Sequence, residues 1–171
     1  MKEPMEAQET ERQVRTVDHS CVEQVHIILP MDVNASFQLF GGLLMQWIDV
    51  VAAVVARRHS GCRVITAAVD HLAFLAPAHL NDVVVLLGRM TYAGRTSMEV
   101  CVETFVEQMD QGGTRKLVNR AFVTMVALDK DGKPTLVPKL LPQTDEEKAE
   151  YEAAKRRREE RKKAEKMHTG E

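Results

Sequence analysis

One long apolar stretch dominates the first third of the chain. Across residues 43–56 the only polar side chains are Gln46 and Asp49. This stretch predicts a long helix, and a helix that is apolar on every side is normally buried on every side. A cluster of cations followed by Gly61 predicts the end of the helix, because cations complement the C-terminal end of the helix dipole and glycine suits a left-handed cap.

The rest of the pattern predicts five β-strands, because five segments are rich in Val, Ile, Thr and Phe and are bounded by turn signals. In chain order they span residues 21–29, 64–75, 82–92, 96–109 and 115–128. The helix falls between the first two strands, and the short connections between the last four favour antiparallel neighbours. One helix wrapped by one curved antiparallel sheet of five to six strands is the simplest arrangement, so the sequence predicts an α+β domain.

Both ends of the chain are polar and lie outside this pattern. Residues 1–18 are rich in Glu, Gln and Arg and predict a mobile N-terminal arm. Residues 143–171 predict a charged helical tail, because Thr144 and Glu147 have the spacing of a capping box and acidic residues precede basic ones. We expect this tail to be solvated, since its apolar content is low. The domain itself then spans residues 19–142.

The composition narrows the classes of function. A length of 171 residues suits one domain, and a formal net charge of −2 provides no bulk attraction for nucleic acid. No apolar segment is long enough to span a bilayer. The three cysteines are scattered, with neither metal-ligand nor disulfide spacing, so we expect no metal site and a reducing, cytoplasmic environment.

Asp49 is the first candidate for chemistry, because a carboxylate within an apolar helix loses hydration unless it has partners. Gly42, Gln46, Asp49 and Ala53 are spaced four, three and four apart, so they share one face of the helix. This face is small and polar, which lets another backbone or a ligand come close. On the residues alone, Asp49 is either neutralised by a structural partner or placed for chemistry.

The helix begins with Gly41 and Gly42. The first turn of a helix has unpaired backbone N–H groups and a partial positive charge, which would stabilise the oxyanion that develops on a thioester or peptide carbonyl. The alternative is that the two glycines only allow close packing where the chain enters the helix.

The order of these residues resembles a known family, the hotdog-fold acyl-CoA thioesterases. The residues that carry the resemblance are Asp32 and Asn34, then Phe40, Gly41 and Gly42, and then Asp49 in the helix. The likeness is greatest to the bacterial acyl-CoA hydrolases and to the brain-type cytosolic acyl-CoA hydrolase, and it covers roughly residues 20–142. It implies the hotdog fold, in which the sheet wraps the long central helix.

The resemblance implies hydrolysis of an acyl-CoA to a carboxylic acid and coenzyme A. Asp49 would be the general base or the nucleophile, Gly42 would lie at the oxyanion site, and Asn34 would orient water or substrate from the facing protomer. The implied assembly is a homodimer, often arranged as a trimer of dimers, that is, a homohexamer. No cofactor is implied, since coenzyme A is part of the substrate. On the residue alone, Asn34 is equally a turn residue.

The resemblance also implies a set of residues that bind the substrate. Phe40 and Gly41 would shape the entrance to the helix, and Phe74 lies in a segment that resembles the second strand of the family. Arg95, Thr96 and Ser97 resemble the turn that lies near bound coenzyme A, although a hairpin turn with a solvated Arg explains them as well. The segment with Lys116, Asn119 and Arg120 resembles the last strand, where basic and amide side chains meet the nucleotide. Lys116 and Arg120 are an even number of residues apart, so we expect them to share a strand face.

Two other functions suit the same fold. A non-catalytic acyl-CoA binder or sensor is the main alternative, but the presence of both Asn34 and Asp49 favours an enzyme. A hotdog dehydratase would need a histidine in the site loop, and residues 31–40 contain none.

Overall fold

A computed structural model describes residues 12–169 of the chain. The predicted apolar helix is present as α1 (Gly41–Ser60), and a second helix, α2 (Asp145–Thr169), ends the described part. The seven strands are β1 (Val14–Thr16), β2 (Val22–Ile27), β3 (Arg63–Phe74), β4 (Val83–Ala93), β5 (Ser97–Gln108), β6 (Thr114–Leu128) and β7 (Lys139–Leu141). Five of them form one antiparallel sheet in the order β2-β4-β5-β6-β3, which confirms the predicted helix-on-sheet fold.

Helix α1 packs on one face of this sheet through a row of buried side chains that includes Leu44, Ile48, Val51 and Val55. Gly88 of β4 lies under the helix, and a Cβ atom placed on it would be 2.5 Å from Cγ1 of Val51. The missing side chain therefore allows the helix to approach the middle of the sheet closely.

The prediction that α1 is buried on every side is wrong for the single chain. The sheet covers only one side of the helix, so Met45 and Val50 remain 48% and 47% exposed, and Gln46 and Asp49 are exposed beside them. The uncovered face is the one that carries Asp49.

A β-bulge in β6 changes which side chains share a face. Asn119 lies opposite Thr104, and Leu117 lies opposite Phe105, so one residue of β6 between them is left without a counterpart. Residues directly opposite each other in an antiparallel pair point to the same face. Lys116 is opposite the core residue Val106 and so points to the helix side, whereas Arg120 is opposite Glu103 and points to the outer face. The prediction that Lys116 and Arg120 share a face is therefore wrong, because the bulge reverses the alternation between them.

The second helix begins at the predicted capping box: the Glu147 N–H donates to Thr144 Oγ1 at 3.1 Å, and the Thr144 N–H donates to Glu147 Oε2 at 3.3 Å. The expectation that this helix is solvated is wrong. Ala154 is completely buried, and Arg157 donates to Glu99 of β5 at 2.7 Å. Helix α2 therefore docks on the outer face of the sheet, because its inward-facing arginines find carboxylates there.

The predicted N-terminal arm falls mostly on residues 1–11, which lie outside the described residues. The remainder of that segment is bound to the domain, since Val14–Thr16 pairs in parallel with Lys139–Leu141. Nε of Arg12 also donates to the carbonyl oxygen of Val137 at 2.6 Å. Neither helix of residues 12–169 combines the length and hydropathy needed to cross a membrane.

The docking of α2 leads to a prediction about stability. Arg157 neutralises the buried carboxylate of Glu99, which also accepts a bond from Thr91 Oγ1 at 2.6 Å. Arg157→Ala leaves that carboxylate buried without a cation and should lower the free energy of unfolding by about 3 kcal/mol in urea denaturation. Arg156→Ala is the control, since it removes a cation from an exposed position of the same helix. An equal loss in both variants would show that Arg157 is not the anchor.

Candidate active site

The uncovered face of α1 holds Asp49 in a defined orientation. Thr66 of β3 donates its hydroxyl to Asp49 Oδ1 at 2.5 Å. Thr66 lies opposite Met125 of β6, a core residue, so the pairing register points the hydroxyl toward the helix. No described residue donates to Oδ2 of Asp49, so that oxygen remains able to accept a proton or to attack.

Thr66 was not among the residues predicted from the sequence. A threonine within a β-rich segment has no local feature that separates it from the other strand threonines. Only the register between β3 and β6 could have identified it, and that register depends on a bulge immediately after Thr66.

An apolar cavity of about 280 Å³ opens beside Asp49, between α1 and the edge strand β3. Its other lining residues are all apolar: Met45, Ile48, Val69, Leu72 and Val123. A ligand with an apolar chain and a polar end fits such a cavity, with the polar end at the carboxylate.

The start of α1 provides hydrogen-bond donors. The Leu43 and Leu44 N–H groups both donate to the Phe40 carbonyl, at 3.0 and 3.1 Å, whereas the Gly41 and Gly42 N–H groups have no acceptor among the described residues. A Cβ atom on Gly42 would lie 2.6 Å from Cε1 of Phe40, so the Phe40 ring covers this glycine. On the other side, Phe74 comes within 3.4 Å of the corresponding position on Gly41. Phe40 and Phe74 thus flank two available backbone donors.

Asn34 lies in the loop before the helix and organises that loop. Its Oδ1 accepts bonds from the Ser36 N–H at 2.9 Å and the Gln38 N–H at 3.2 Å. The interpretation of Asn34 as a turn residue is therefore correct, because its side chain bonds to the backbone of its own loop. It does not exclude a role in catalysis, because the Nδ2 group has no acceptor among the described residues and can still donate. With Oδ1 occupied, the side-chain amide is held in one orientation.

Asn34 and Asp49 do not line the same cavity within one chain. Asn34 lines a separate cavity of about 490 Å³ together with Gly41 and Phe74. Asp49 lines the apolar cavity described above. A single chain therefore presents two parts of the predicted site rather than the complete set.

The turn between β4 and β5 is the predicted site for coenzyme A. The Gly94 N–H donates to the Ser97 carbonyl at 2.8 Å, and the Ala127 N–H donates to the Thr96 carbonyl at 3.0 Å, so this turn is fixed to the sheet. Arg95 lines a cavity of about 450 Å³ there. Three further cations from distant parts of the chain line the same cavity: Arg12, Lys139 and Arg158. These three cations were not predicted from the sequence, because they approach Arg95 only through the pairing of β1 with β7 and the docking of α2.

The three predicted residues of β6 do not come together. Asn119 is buried and donates from Nδ2 to the Ala73 carbonyl at 2.7 Å, so it ties β6 to β3. Lys116 lines another cavity, of about 470 Å³. Arg120 bonds to Glu103 on the outer face. The two cations therefore do not meet on one face of the strand.

Glu103 is the centre of a small charge cluster on the outer face, where Arg89 donates to its Oε2 at 2.6 Å and Arg120 bonds to its Oε1. Burial alone would raise the pKa of Glu103, but the bonds from Arg89 and Arg120 outweigh burial and hold this pKa below its ordinary value. Arg120 is therefore ion-paired with a carboxylate that remains charged.

This chain is similar to proteins of one known family. Residues 38–112 match the model of the thioesterase superfamily. The uncharacterized acyl-CoA thioester hydrolase YkhA of Bacillus subtilis is 39% identical over 92% of this chain and 89% of its own length. The chain therefore belongs to the acyl-CoA thioester hydrolases of the thioesterase superfamily. It is also 35% identical, over 83% of its length, to the cytosolic acyl coenzyme A thioester hydrolase of Rattus norvegicus, but it spans only 38% of that protein.

Solved structures show the same fold. The acyl-CoA hydrolase of Staphylococcus aureus, in complex with butyryl coenzyme A, coenzyme A and coenzyme A disulfide, matches with a TM-score of 0.84 at 34% identity, covering 92% of this chain and 94% of that chain. An apo-hexameric acyl-CoA thioesterase matches with a TM-score of 0.85 at 41% identity, covering 89% and 97% of the two chains. The hotdog fold is thereby confirmed.

Three variants of the Staphylococcus enzyme have also been solved, in which an asparagine, an aspartate or a threonine is replaced by alanine. The three positions have the same spacing along that chain as Asn34, Asp49 and Thr66 have in this one.

The bond to Asp49 leads to a prediction for Thr66. Thr66→Val keeps the shape of the side chain but removes the donor, so Asp49 loses its fixed orientation. A hydrogen bond to a charged group contributes about 1.5–3 kcal/mol, so we expect kcat for thioester hydrolysis to fall about 10- to 100-fold. Thr66→Ser retains the hydroxyl and serves as the control, with activity close to wild type. Equal activity of the Val and Ser variants would exclude this role for the hydroxyl.

Proposed function

We propose that this protein hydrolyses acyl-CoA thioesters with Asp49 as the catalytic carboxylate. Membership of the acyl-CoA thioester hydrolases makes it a thioesterase. The observation that carries the mechanism is the carboxylate of Asp49, held by Thr66 at the wall of an otherwise apolar cavity. An acyl chain in that cavity would place its thioester carbonyl next to Asp49.

Asp49 then acts in one of two ways. As a general base it takes a proton from the water molecule that attacks the thioester carbonyl. As a nucleophile it attacks the carbonyl itself, and water hydrolyses the resulting mixed anhydride. In both cases the carbon–sulfur bond breaks, the thiolate of coenzyme A leaves and takes up a proton, and the acyl group departs as a carboxylic acid. The Gly42 N–H at the start of α1 supplies a donor for the oxyanion.

The complete site requires a second copy of the chain. The uncovered face of α1 continues onto the edge strand β3, where Val69 is half exposed and lines the apolar cavity together with Met45. An edge strand also presents unpaired backbone groups that another strand can bond. A facing protomer would cover this apolar surface and bring its own Asn34 to Asp49. The hexameric thioesterase among the similar structures supports a trimer of such dimers.

The cationic cavity at the β4–β5 turn is suited to the phosphate groups of coenzyme A. Arg95 supplies one side of it, and Lys139 and Arg158 add two cations. Thr96 and Ser97 follow Arg95 in the same turn and would add hydroxyl groups near the phosphates. The reaction needs no further cofactor, because coenzyme A arrives as part of the substrate. The name of the rat relative supports a cytoplasmic location.

Thiol release from a panel of acyl-CoAs, from acetyl to palmitoyl, tests the assignment of Asp49. Asp49→Ala should lower kcat by at least about 10³-fold in a protein that remains folded and dimeric, because no other described carboxylate lines the apolar cavity. Asp131→Ala, in an exposed turn, is the control and should retain full activity. An Asp49→Ala variant with wild-type activity would overturn the mechanism. Wild-type protein that binds acyl-CoA without hydrolysing it would favour a binder or sensor.

Mixed dimers test the sharing of the site between protomers. Asn34→Ala and Asp49→Ala should each be inactive alone. When the two variants are unfolded and refolded together, half of the dimers are mixed, and one of the two sites in each mixed dimer has both wild-type residues. We therefore expect recovery of about a quarter of wild-type activity, since effects on separate sites add. If Asn34 and Asp49 act within one chain, no activity returns.

A further inference from the structure

Helix α2 reaches the edge strand of the site through Arg161. The helix packs mainly over β4, and a groove of about 860 Å³ lies between it and the β3 edge of the sheet. Arg161 spans this groove and forms an ion pair with Asp70 of β3. Both side chains are partly buried, with 19% and 29% of their surface exposed. The pair is therefore better shielded from solvent than an ordinary surface ion pair.

Asp70 lies at the least supported part of β3. The strand is bonded on one side only, to β6, and its register shifts between Asp70 and Ala73, so the ladder loses regular pairing there. His71, the next residue, has φ of +56°, a conformation that a non-glycine residue adopts only when its surroundings impose it. The ion pair with Arg161 holds Asp70 on the outer face, and it therefore also holds this irregular segment of β3 in place.

The opposite face of the same segment lines the candidate acyl cavity. Val69 precedes Asp70 and Leu72 follows shortly after it, and both side chains line the cavity that contains Asp49. Val69 lies opposite the core residue Val123, whereas Asp70 lies opposite Phe122 on the outer face. Successive side chains of β3 point to opposite faces of the sheet, so both faces move when the backbone moves. A shift that exposes Asp70 to water would therefore also move Val69 and Leu72 relative to Asp49.

We propose that Arg161 is a positioning residue for thioester hydrolysis, which acts through Asp70 to fix the Val69–Leu72 wall of the acyl cavity. The proposal rests on the proposed function for its effect on catalysis. Without Arg161, the partly buried carboxylate of Asp70 lacks its partner, and an outward movement of the segment gives this carboxylate more complete solvation. The wall on the far side of β3 then moves with it.

The effect should depend on the length of the acyl chain. A long chain contacts the wall formed by Val69 and Leu72, whereas the acetyl group is too short to depend on it. Arg161→Ala should therefore lower kcat/KM about tenfold for acyl-CoAs that fill the cavity and less than about twofold for acetyl-CoA, since displacements on the order of 1 Å change rates by such factors. A merely destabilised protein would lose activity on all chain lengths together.

The experiment compares Arg161→Ala with Lys162→Ala, which removes a cation from the next, exposed position of α2. Both variants are measured on the acyl-CoA panel and by hydrogen–deuterium exchange. We expect the changed chain-length ratio, together with severalfold faster exchange across residues 68–73, in Arg161→Ala alone. The exchanged pair of Asp70→Arg with Arg161→Asp should recover part of the wild-type ratio, because it restores the contact with its charges reversed.

Three results would overturn the proposal: an equal loss for all chain lengths, the same behaviour in Lys162→Ala, or unchanged exchange in β3. Wild-type protein that hydrolyses no acyl-CoA would instead overturn the proposed function. The exchange measurement would then decide by itself whether Arg161 positions β3.

Discussion

Helix α1 carries more apolar surface than one sheet can cover, and the position of the candidate site depends on this imbalance. The sheet takes the face with Ile48, Val51 and Val55, and Gly88 lets the helix sit close to it. The opposite face keeps Met45 and Val50 half exposed around Asp49. An uncovered apolar face of this kind is a surface for association. The same imbalance that calls for a second copy thus places the carboxylate where the two copies would meet.

The edge strand β3 connects the parts of the site. Its inner face supplies Thr66 to Asp49 and Val69 to the apolar cavity, and its outer face supplies Asp70 to α2. Two register shifts lie within this strand. A bulge redirects side chains but interrupts the regular hydrogen bonding between strands. Because β3 shapes the candidate site and is irregularly paired, it depends more on contacts with other elements, such as its contact with α2.

The sequence predicted those features that depend on neighbouring residues. The apolar helix, the strand segments and the capping box at Thr144 all follow from local patterns. Asp49 stands out as a carboxylate in an apolar helix, whereas Asn34 became a candidate only through the resemblance to a family. The features it missed depend on residues far apart in the chain. Thr66 meets Asp49 only through the β3–β6 register, and the bulge in β6 separates Lys116 from Arg120 although their spacing suggested one face.

The C-terminal helix shows why composition alone misled the prediction of a solvated tail. Its residues are mostly charged, and a charged helix is normally solvated. What decided its position were the carboxylates on the outer face of the sheet. Glu99 is nearly fully buried, and Arg157 lies with its guanidinium 3.7 Å from the centre of the Phe122 ring while it bonds to Glu99.

A facing protomer would do more for Asp49 than supply Asn34. In the single chain the carboxylate is open to water, and water competes for every hydrogen bond that the thioester carbonyl could receive from the start of α1. Covering the apolar face excludes that water, and fixed donors then stabilise the developing oxyanion more effectively because the surroundings are less polar. In the proposed dimer, association and catalysis depend on the same surface, so a substitution that exposes this surface should weaken both together, even where it leaves Asp49 and Thr66 in contact.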